Sequence, residues 1–440
     1  MRLPEAQVVL SGSLFREILT HPPFFGAKRL VMYYNLLIIR WRKCREMKNK
    51  AVILGSNYYI GLSIIRCLGK EGIYTVAMDY SKENTYGADS KYLKAQIIVP
   101  HYKKQEAELV KFMVDYAKKE EVKPVLFPSG DPYVEFIDRN FDALKEVYLF
   151  PMDVKGKWTD IMMKDTLETL AVKYGMPIPE SVELNDPDIF DKVDKIVGYP
   201  CILKPTESTM FVAKFRVKNF IVNNREELLK YRDIILESSL DGVIQRIIPG
   251  FDDHMYTYDA YLDRNSDVTH WMTCQKHRQF PINFGASVYT EQRLVPELHE
   301  MSRDFFKAIG YKGFGEIEYK KDSTTGKYYL IEINTRTTNL NSLLEKAGIN
   351  FPLLAYREMT GEKIEKDTKT YDSNIHFRYL YEDLLAIREY VRAGQLSKAD
   401  IVKSLFRKKA PAIFSFSDVK PTLGFLSMVY GKVKKRSHRG

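Results

Sequence analysis

The sequence predicts an α/β protein, because strands and helices alternate along most of its 440 residues. The apolar stretch Ala51–Gly55 leads into a polar loop and a helix that runs through Gly69, and a second strand follows at 74–79. This is the pattern of a β-loop-α-β unit. Later strands again flank helices, and a strand–turn–strand stretch ends at Arg336. We therefore expect an α/β fold that begins with an open parallel sheet.

The first domain continues the alternation, with a strand at 96–99, a helix at 106–119 and a strand at 125–128. The last strand runs into Asp131, which lies where ligands bind in open α/β sheets, although taken alone this residue is expected to cap the next helix. The spacing of Gly55 and Gly61 fits neither GxGxxG nor GxxxxGK[ST]. Neither a dinucleotide site nor a P-loop is therefore predicted.

A new unit begins near Pro151. It opens with a predicted helix at 155–173 that has Lys164 near its centre, and Lys204 then ends the buried strand that starts at 198. A lysine after several apolar residues favours an anionic partner for its ammonium group. The remaining predicted elements are strands at 220–223, 243–250, 255–262 and 269–275 and helices at 225–237 and 295–309.

A polar turn, Asp322–Gly326, joins two strands that are predicted to form a β-hairpin. Because side chains alternate along a strand, Glu332, Asn334 and Arg336 face one way, and Glu318 of the partner strand can lie opposite them. Two carboxylates and an amide oxygen make an incomplete oxygen site of the kind that Mg²⁺ occupies when phosphates supply the other ligands. The guanidinium is placed to grip a phosphate or carboxylate. These residues alone leave an ordinary solvated hairpin as the alternative.

The composition, 45% hydrophobic and 28% charged, is that of a chain that can build a sizeable core. The net charge of +10 is concentrated at the ends: residues 1–50 carry +7 and residues 401–440 carry +9, so the body between them is mildly acidic at −6. A nucleic-acid-binding protein would need a basic body. The charge pattern instead favours tails that meet an acidic surface.

The four cysteines are far apart and form no CxxC pair. They indicate neither a disulfide framework nor a cysteine zinc site, and a reducing, cytoplasmic setting is expected. The longest apolar run, Leu30–Ile39, is far shorter than the roughly 20 residues of a membrane span. A basic amphipathic helix over 27–45 and a poorly ordered extension before a start at Met47 fit the N-terminal segment equally well.

Four motifs in order carry a family resemblance: Lys164, the YPCILKP strand with Lys204, VIQRIIPG, and GFGEIEY followed by YYLIEINTR. Over about residues 50–360 they resemble the ATP-grasp superfamily. The segments PSGDPYVEFIDRN, QKHRQFP and DVKP are more closely similar to ATP-grasp carboxylate–amine ligases of cell-wall and surface-polysaccharide synthesis, including D-aspartate ligases.

The resemblance implies a domain organisation and a set of site residues. The domains would be a basic N-terminal extension at 1–47, a Rossmann-like pre-ATP-grasp domain at 48–150, a two-lobed ATP-grasp domain at 151–362 and a helical, basic region at 363–440.

The resemblance also implies a role for each site residue. Lys164 and Lys204 would neutralise the ATP phosphates. Gln245, Arg246 and Ile248 would bind adenine through backbone groups, and Asp253 would bind the ribose. Glu318, Glu332 and Asn334 would hold Mg²⁺, with Mn²⁺ as an alternative ion. Arg336, with Arg278 as second candidate, would hold the carboxylate or stabilise the tetrahedral intermediate.

The activity implied is an ATP-dependent ligase that joins a small-molecule carboxylate, an amino acid or a sugar acid, to an amine through an acylphosphate. The sequence departs from the family in the segment after Lys204, which lacks the glycines of the usual phosphate flap; the hydroxyls of Ser208 and Thr209 are candidate substitutes. The segment Thr337–Leu344 lacks the Glu and His of biotin-dependent carboxylases, which disfavours that reaction. A degenerate nucleotide-binding protein with a regulatory or scaffold role is the alternative.

The C-terminal region is predicted to contain helices at 382–393 and 397–406 and a basic segment at 408–440. A solvated, partly ordered tail and a tail that touches an anionic membrane surface are both compatible with this pattern. The second interpretation would suit a ligase at the inner face of the membrane whose acceptor is lipid-linked or polysaccharide-bound. The sequence does not indicate an oligomeric state.

Overall fold

The computed structural model describes residues 48–206, 208–283, 285–367 and 371–437, so the interpretations of the first 47 residues lie outside the described part of the chain. Residues Asn49–Gly440 form one compact unit. Three sheets organise this unit. Within the described ranges, no helix is long and apolar enough to cross a membrane.

The first sheet is the predicted open parallel sheet, and the structure confirms it. Its four strands lie in the order β3-β2-β1-β4 and pair in parallel. Every residue of β1 is buried, as expected for a strand that is covered on both faces. The strands are β1 (Ala51–Leu54), β2 (Thr75–Asp79), β3 (Ala95–Ile98) and β4 (Val125–Pro128), and the helices are Tyr59–Gly69, Glu106–Ala117, Asp131–Arg139 and Phe141–Lys145.

The second sheet is small and antiparallel, in the order β5-β8-β6-β7. Its inner face packs with Phe211 and Leu228 from two helices into a separate apolar core. The strands are β5 (Ser181–Glu183), β6 (Cys201–Pro205), β7 (Phe220–Val222) and β8 (Gly242–Arg246). The helices before and around them are Lys157–Met162, Lys164–Lys173, Ile189–Lys192, Ser208–Phe215 and Arg225–Leu236.

The third sheet has seven strands in the order β13-β12-β9-β10-β11-β14-β15. The predicted hairpin is its β12–β13 edge, and the C-terminal region supplies the opposite edge. The strands are β9 (Met255–Leu262), β10 (Val268–Phe280), β11 (Ala286–Gln292), β12 (Gly313–Lys321), β13 (Tyr328–Asn334), β14 (Ile375–Arg378) and β15 (Lys408–Pro411). The helices are Pro296–Ala308, Asn341–Ala347, Phe351–Met359, Leu380–Arg392, Lys398–Phe406 and Lys420–Ser437.

Three predicted elements differ from the structure. The single helix expected at 155–173 is two helices, because the backbone at Met163 is extended (ψ 133°), and Lys164 therefore begins the second helix instead of lying mid-helix. The segment after Lys204, which was compared with the phosphate flap and not predicted as a helix, contains the helix Ser208–Phe215. The C-terminal region is not only helical, since β14 and β15 extend the large sheet.

The DVKP segment ties the C-terminal region to the first domain. The Asp418 carboxylate accepts a hydrogen bond from Arg66 Nε at 2.9 Å and one from Ser90 Oγ at 2.7 Å. Arg66 also donates to the carbonyl of Ile413. All three hydrogen bonds are buried. The DVKP motif therefore has a structural role, because its Asp418 joins distant parts of the chain.

Candidate active site

A cleft of about 840 Å³ lies between the three sheets and collects most of the predicted site residues. It is lined by polar and charged side chains from the first domain, the small sheet and the hairpin. The predicted residues among those that line it are Lys164, Lys204, Gln245, Arg246, Ile248, Glu318, Glu332, Asn334 and Arg336. Asp131 also lines the cleft.

The hairpin register places two carboxylates side by side. Glu318 of β12 pairs directly with Glu332 of β13. The charge of Glu318 raises the pKa of Glu332, and the low-polarity surroundings add to the shift. Two like charges held together in this way favour a bound cation. The ammonium of Lys276 contacts this pair, since its Nζ lies 2.6 Å from Glu318 Oε2.

Two lysines also line the cleft: Lys164 begins the helix Lys164–Lys173, and Lys204 lies on β6 of the small sheet. Lys164 Nζ donates to the carbonyl of Pro205 at 3.2 Å, and Lys204 Nζ donates to Gln245 Oε1 at 2.6 Å. Burial, together with the positive charge of Lys164, lowers the pKa of Lys204 to about 8, although Glu332 acts in the opposite direction. Two ammonium groups that repel each other in this way form an electrostatic site for a polyanion.

Arg336 is held at the end of the hairpin by an ion pair from the first domain. Its Nε lies 2.6 Å from Asp131 Oδ1 and its Nη2 lies 3.0 Å from Asp131 Oδ2, which is a bidentate contact. The same Nη2 is 3.4 Å from Asn334 Oδ1. Asp131 was expected to cap its helix, but the N-cap residue is Gly130, and Asp131 is the first residue of the helix and binds Arg336.

The residues predicted to bind adenine, Gln245, Arg246 and Ile248, line the cleft, and the guanidinium of Arg246 has partners of its own. Arg246 is 3.2 Å from Glu180 and 3.4 Å from Asp322, and its guanidinium lies over the ring of Tyr329. Ile248 is buried and lines the cleft. The side chains of Ser208 and Thr209 are outside the described set, so their predicted contribution stays a prediction.

The structure places Arg278 outside the cleft lining, which corrects its assignment as second candidate for substrate binding. It is buried, forms a bidentate pair with Asp383 at 2.6 and 3.0 Å, and stacks over Tyr289. The reason is a β-bulge between Lys276 and Gln279 that breaks the alternation of side chains along β10. Gln279, one residue further along, lines the cleft instead.

Asp253, the predicted ribose contact, is not among the residues that line the cleft, so this assignment stays a prediction. Its carboxylate is half-exposed and is bonded to His254 Nδ1 at 2.7 Å. The preceding residue, Asp252, is the buried acid of this turn and lines the cleft, where Gln279 Nε2 and the backbone N–H of Asn283 donate to it.

Sequence reasoning missed two further residues of the site, Lys276 and Glu316. Glu316 is buried and accepts from Asn334 Nδ2 at 2.9 Å and from Thr338 Oγ1 at 2.9 Å. This leaves the amide oxygen of Asn334 as the acceptor, and it lies 3.4 Å from Arg336 Nη2. Burial and the neighbouring Asp259 raise the pKa of Glu316. The sequence contains a signal for Glu316, because Glu316 and Glu318 are two residues apart and so lie on the same face of their strand.

Comparisons with known proteins agree with this architecture. Residues 265–366 match the family described as carbamoyl-phosphate synthase L chain, ATP binding domain. The chain is 25% identical over 264 residues to a D-aspartate ligase of Enterococcus faecium, which covers 57% of this chain and 62% of that protein. It is 29% identical over 177 residues to a D-alanine–D-alanine ligase of Neisseria meningitidis, which covers 37% and 53% of the two proteins. The chain thus spans about six tenths or less of the length of these two relatives.

Solved structures show the same fold at low sequence identity. Biotin carboxylase from Campylobacter jejuni, in a β,γ-ATP complex, superposes with a TM-score of 0.57 at 18% identity, over 76% of this chain and 75% of that one. N5-carboxyaminoimidazole synthetase from Staphylococcus aureus gives 0.56 at 15% identity, over 73% and 80%. These likenesses confirm the predicted fold class.

Proposed function

We propose that the chain is an ATP-dependent ligase of the ATP-grasp superfamily that joins a small-molecule carboxylate to an amine, and its similarity in sequence to carboxylate–amine ligases supports this. The observation that carries the proposal is the convergence in one cleft of two lysines, a carboxylate pair and the Asp131-bound Arg336. Phosphoryl transfer needs these groups, because cations must line the phosphates and an anion grip must hold the acceptor.

The residues of the cleft suit the parts of Mg–ATP. Lys164 and Lys204 would bind the phosphate chain, while the backbone after β8 would hold the base. The donor set of Glu318, Glu332 and Asn334 is all oxygen, which is the set that Mg²⁺ prefers, and the raised pKa of Glu332 fits a site built for a cation. When bound, Mg²⁺ would offset the negative charge of the phosphates. Lys276 would have to release Glu318 to admit it.

The proposed reaction has two steps. An oxygen of the substrate carboxylate attacks the γ-phosphorus of ATP, the bond to the β,γ-bridging oxygen breaks, and ADP leaves. The amine nitrogen then attacks the carbonyl carbon of the acylphosphate, the bond from that carbon to the phosphate oxygen breaks, and the nitrogen loses a proton. Arg336 would hold the carboxylate and then stabilise the oxyanion of the tetrahedral intermediate.

ADP release by the purified chain over a panel of amino acids, sugar acids and amines tests this proposal, with Mg²⁺ and Mn²⁺ compared and the products identified by mass spectrometry. We expect release to need both an acid and an amine, and Glu332→Gln to abolish it. Glu300→Gln, at an exposed position on the helix Pro296–Ala308, is the matched control and should be fully active. ATP binding without turnover on any pair would favour the nucleotide-binding scaffold instead.

We further propose that the acceptor belongs to cell-wall or surface-polysaccharide synthesis and is lipid-linked or polymer-bound. The relative named D-aspartate ligase supports this class. So does the last helix, Lys420–Ser437, where Leu423, Leu426 and Tyr430 are 60%, 55% and 70% exposed at spacings that share one helical face. An exposed apolar face beside basic residues suits an anionic membrane surface.

A further inference from the structure

A cluster of two histidines and one glutamate joins three neighbouring strands of the large sheet. His277 lies on β10, Glu291 on β11 and His376 on β14. Glu291 and His376 are direct cross-strand partners, and β10 is the next strand on the other side of β11. None of the three is among the residues that line the cleft.

We propose that His277, Glu291 and His376 form a binding site for a divalent transition metal of the Zn²⁺ type. Their donor atoms all lie within 4.8 Å of one another, and this is the one such group found among the described residues. His277 Nε2 is 3.1 Å and His376 Nε2 is 3.8 Å from the same carboxylate oxygen of Glu291. Donors around a tetrahedral zinc ion at about 2.0 Å are about 3.3 Å apart, so small side-chain rotations suffice to close the site.

The chemistry of the donors separates this site from the one in the cleft. Two imidazole nitrogens and one carboxylate oxygen suit Zn²⁺ and its neighbours in the first transition row, whereas Mg²⁺ prefers oxygen alone. The His376 side chain is 4% exposed, while His277 is 29% and Glu291 is 18% exposed. The site is thus backed by a buried ligand and open on one side, where water can complete the coordination.

The charged neighbours of the cluster are cationic. Arg293 acts on Glu291, and Arg407, which is exposed, acts on His376. Their repulsion must weaken the binding of a dication, and this gives the proposal a distinctive signature. Removing the charge of Arg407, which is not a ligand, should tighten metal binding.

Metal binding at this place would fasten the C-terminal region to the sheet. His376 is carried by β14, which pairs with β11 over only three residue pairs. A metal held by β10, β11 and β14 together would bridge all three strands. Because the metal binds the folded state, it should also raise the unfolding temperature.

Zinc titration of the chelator-treated full-length protein, in competition with a chromogenic chelator and with excess Mg²⁺ to occupy the cleft carboxylates, tests the proposal. We expect one tight equivalent of Zn²⁺, visible absorption bands when Co²⁺ is used instead, and a loss of affinity of at least about 100-fold in His277→Ala and in His376→Ala. Arg407→Gln should bind more tightly. His101→Ala, which lacks a histidine outside the cluster, should bind like the parent protein.

No binding by the parent protein, or unchanged binding in the His277→Ala/His376→Ala double variant, would overturn the proposal. Glu291→Gln provides a nearly isosteric variant in case the alanine variants do not fold, and its folded fraction should also lose zinc and the Co²⁺ bands. A Glu291→Gln protein that binds as tightly as the parent counts against the site.

Discussion

Arg336 is held on one side by Asp131 and on the other by Asn334, so a substrate carboxylate would meet a guanidinium that is already oriented. If it acts on the acyl group, Arg336→Ala should lower kcat by about 100-fold or more, as loss of an oxyanion donor does, while the KM for ATP changes little. Steady-state kinetics with ATP and the acid varied separately measures this split. Arg336→Lys, which keeps the charge but not the fork, serves as control. Equal losses in ATP affinity and turnover would contradict the separate role.

Lys204 gives a prediction in pH. Its pKa is lowered to about 8, chiefly by burial and then by Lys164. A lysine is charged below its pKa, so the ammonium that would bind phosphate is present below pH 8 and is lost as the pH rises through that value. The kcat/KM for ATP, which reports the free enzyme, should therefore fall about tenfold per pH unit above about pH 8.

In Lys204→Arg this limb of the pH profile should move to higher pH, because the guanidinium stays charged. A wild-type profile that stays flat well above pH 8 would show that Lys204 does not govern ATP binding.

At the scale of the element, the β12–β13 hairpin sets the orientation of the Asn334 amide. The nitrogen donates to Glu316, so the oxygen is the acceptor of this amide, which lies 3.4 Å from Arg336 Nη2 and is the atom that a bound cation would use. Removing Glu316 frees the amide to rotate, so Glu316→Ala should raise the Mg²⁺ concentration needed for half-maximal activity by about 10-fold or more, as loss of an outer-shell partner does. Glu316→Gln, which can still accept this bond, should be milder.

The measurement for the Glu316 variants is activity against Mg²⁺ at saturating ATP, with unfolding curves to confirm that the variants fold. If both variants had an unchanged Mg²⁺ requirement, the amide would not depend on Glu316.

Elements that are determined by residues close together in the sequence could be predicted, whereas elements that depend on pairing with distant strands could not. The hairpin was accessible, because a polar turn and a period of two are local properties. Arg278 was misassigned because a bulge in β10 reverses the facing of its side chain, and a bulge has no sequence signature of its own here. β14 and β15 were missed because each has only four residues, and their strand character comes from pairing with β11 and with each other.

At the scale of the whole molecule, breaking the Arg66–Asp418 pair should destabilise the fold strongly. The two side chains are only 10% and 1% exposed. Asp418→Ala leaves Arg66 buried without its carboxylate, which costs about 3–5 kcal/mol when a buried pair is broken. The free energy of unfolding from urea titration measures the loss. Lys155→Ala, which breaks the exposed pair with Asp142, is the control and should cost less than about 1 kcal/mol.

The same contact should appear in the pH dependence of stability. Burial opposes the charged form of Asp418, but hydrogen bonds from Ser90 and Arg66 outweigh it, and the net effect lowers the pKa. The stabilisation is therefore present above the unfolded pKa of about 3.9 and is lost as the pH falls through the lower folded value. Asp418→Asn should flatten this acid limb, and an unchanged limb would assign it to other carboxylates.

The apolar face of the last helix predicts binding to anionic vesicles. Serine at Leu423, Leu426 and Tyr430 together should reduce co-sedimentation with vesicles that contain phosphatidylserine, because these side chains would enter the interface while basic residues add about 1 kcal/mol each. Leu229→Ser, at an exposed position on another helix, is the control. Equal and negligible co-sedimentation of all the proteins with the vesicles would contradict the membrane proposal.

The position of β14 and β15 at one edge of the large sheet has a consequence for synthesis on the ribosome. Until residues 375–378 have emerged, β11 is paired with β10 on one side only, and the open side of such an edge strand can pair with other chains. Arg66 is translated long before its partner Asp418, so their ion pair can form only after Asp418 has been added to the chain. The nascent protein therefore cannot complete its sheet or this ion pair until residues 408–418 have left the ribosome.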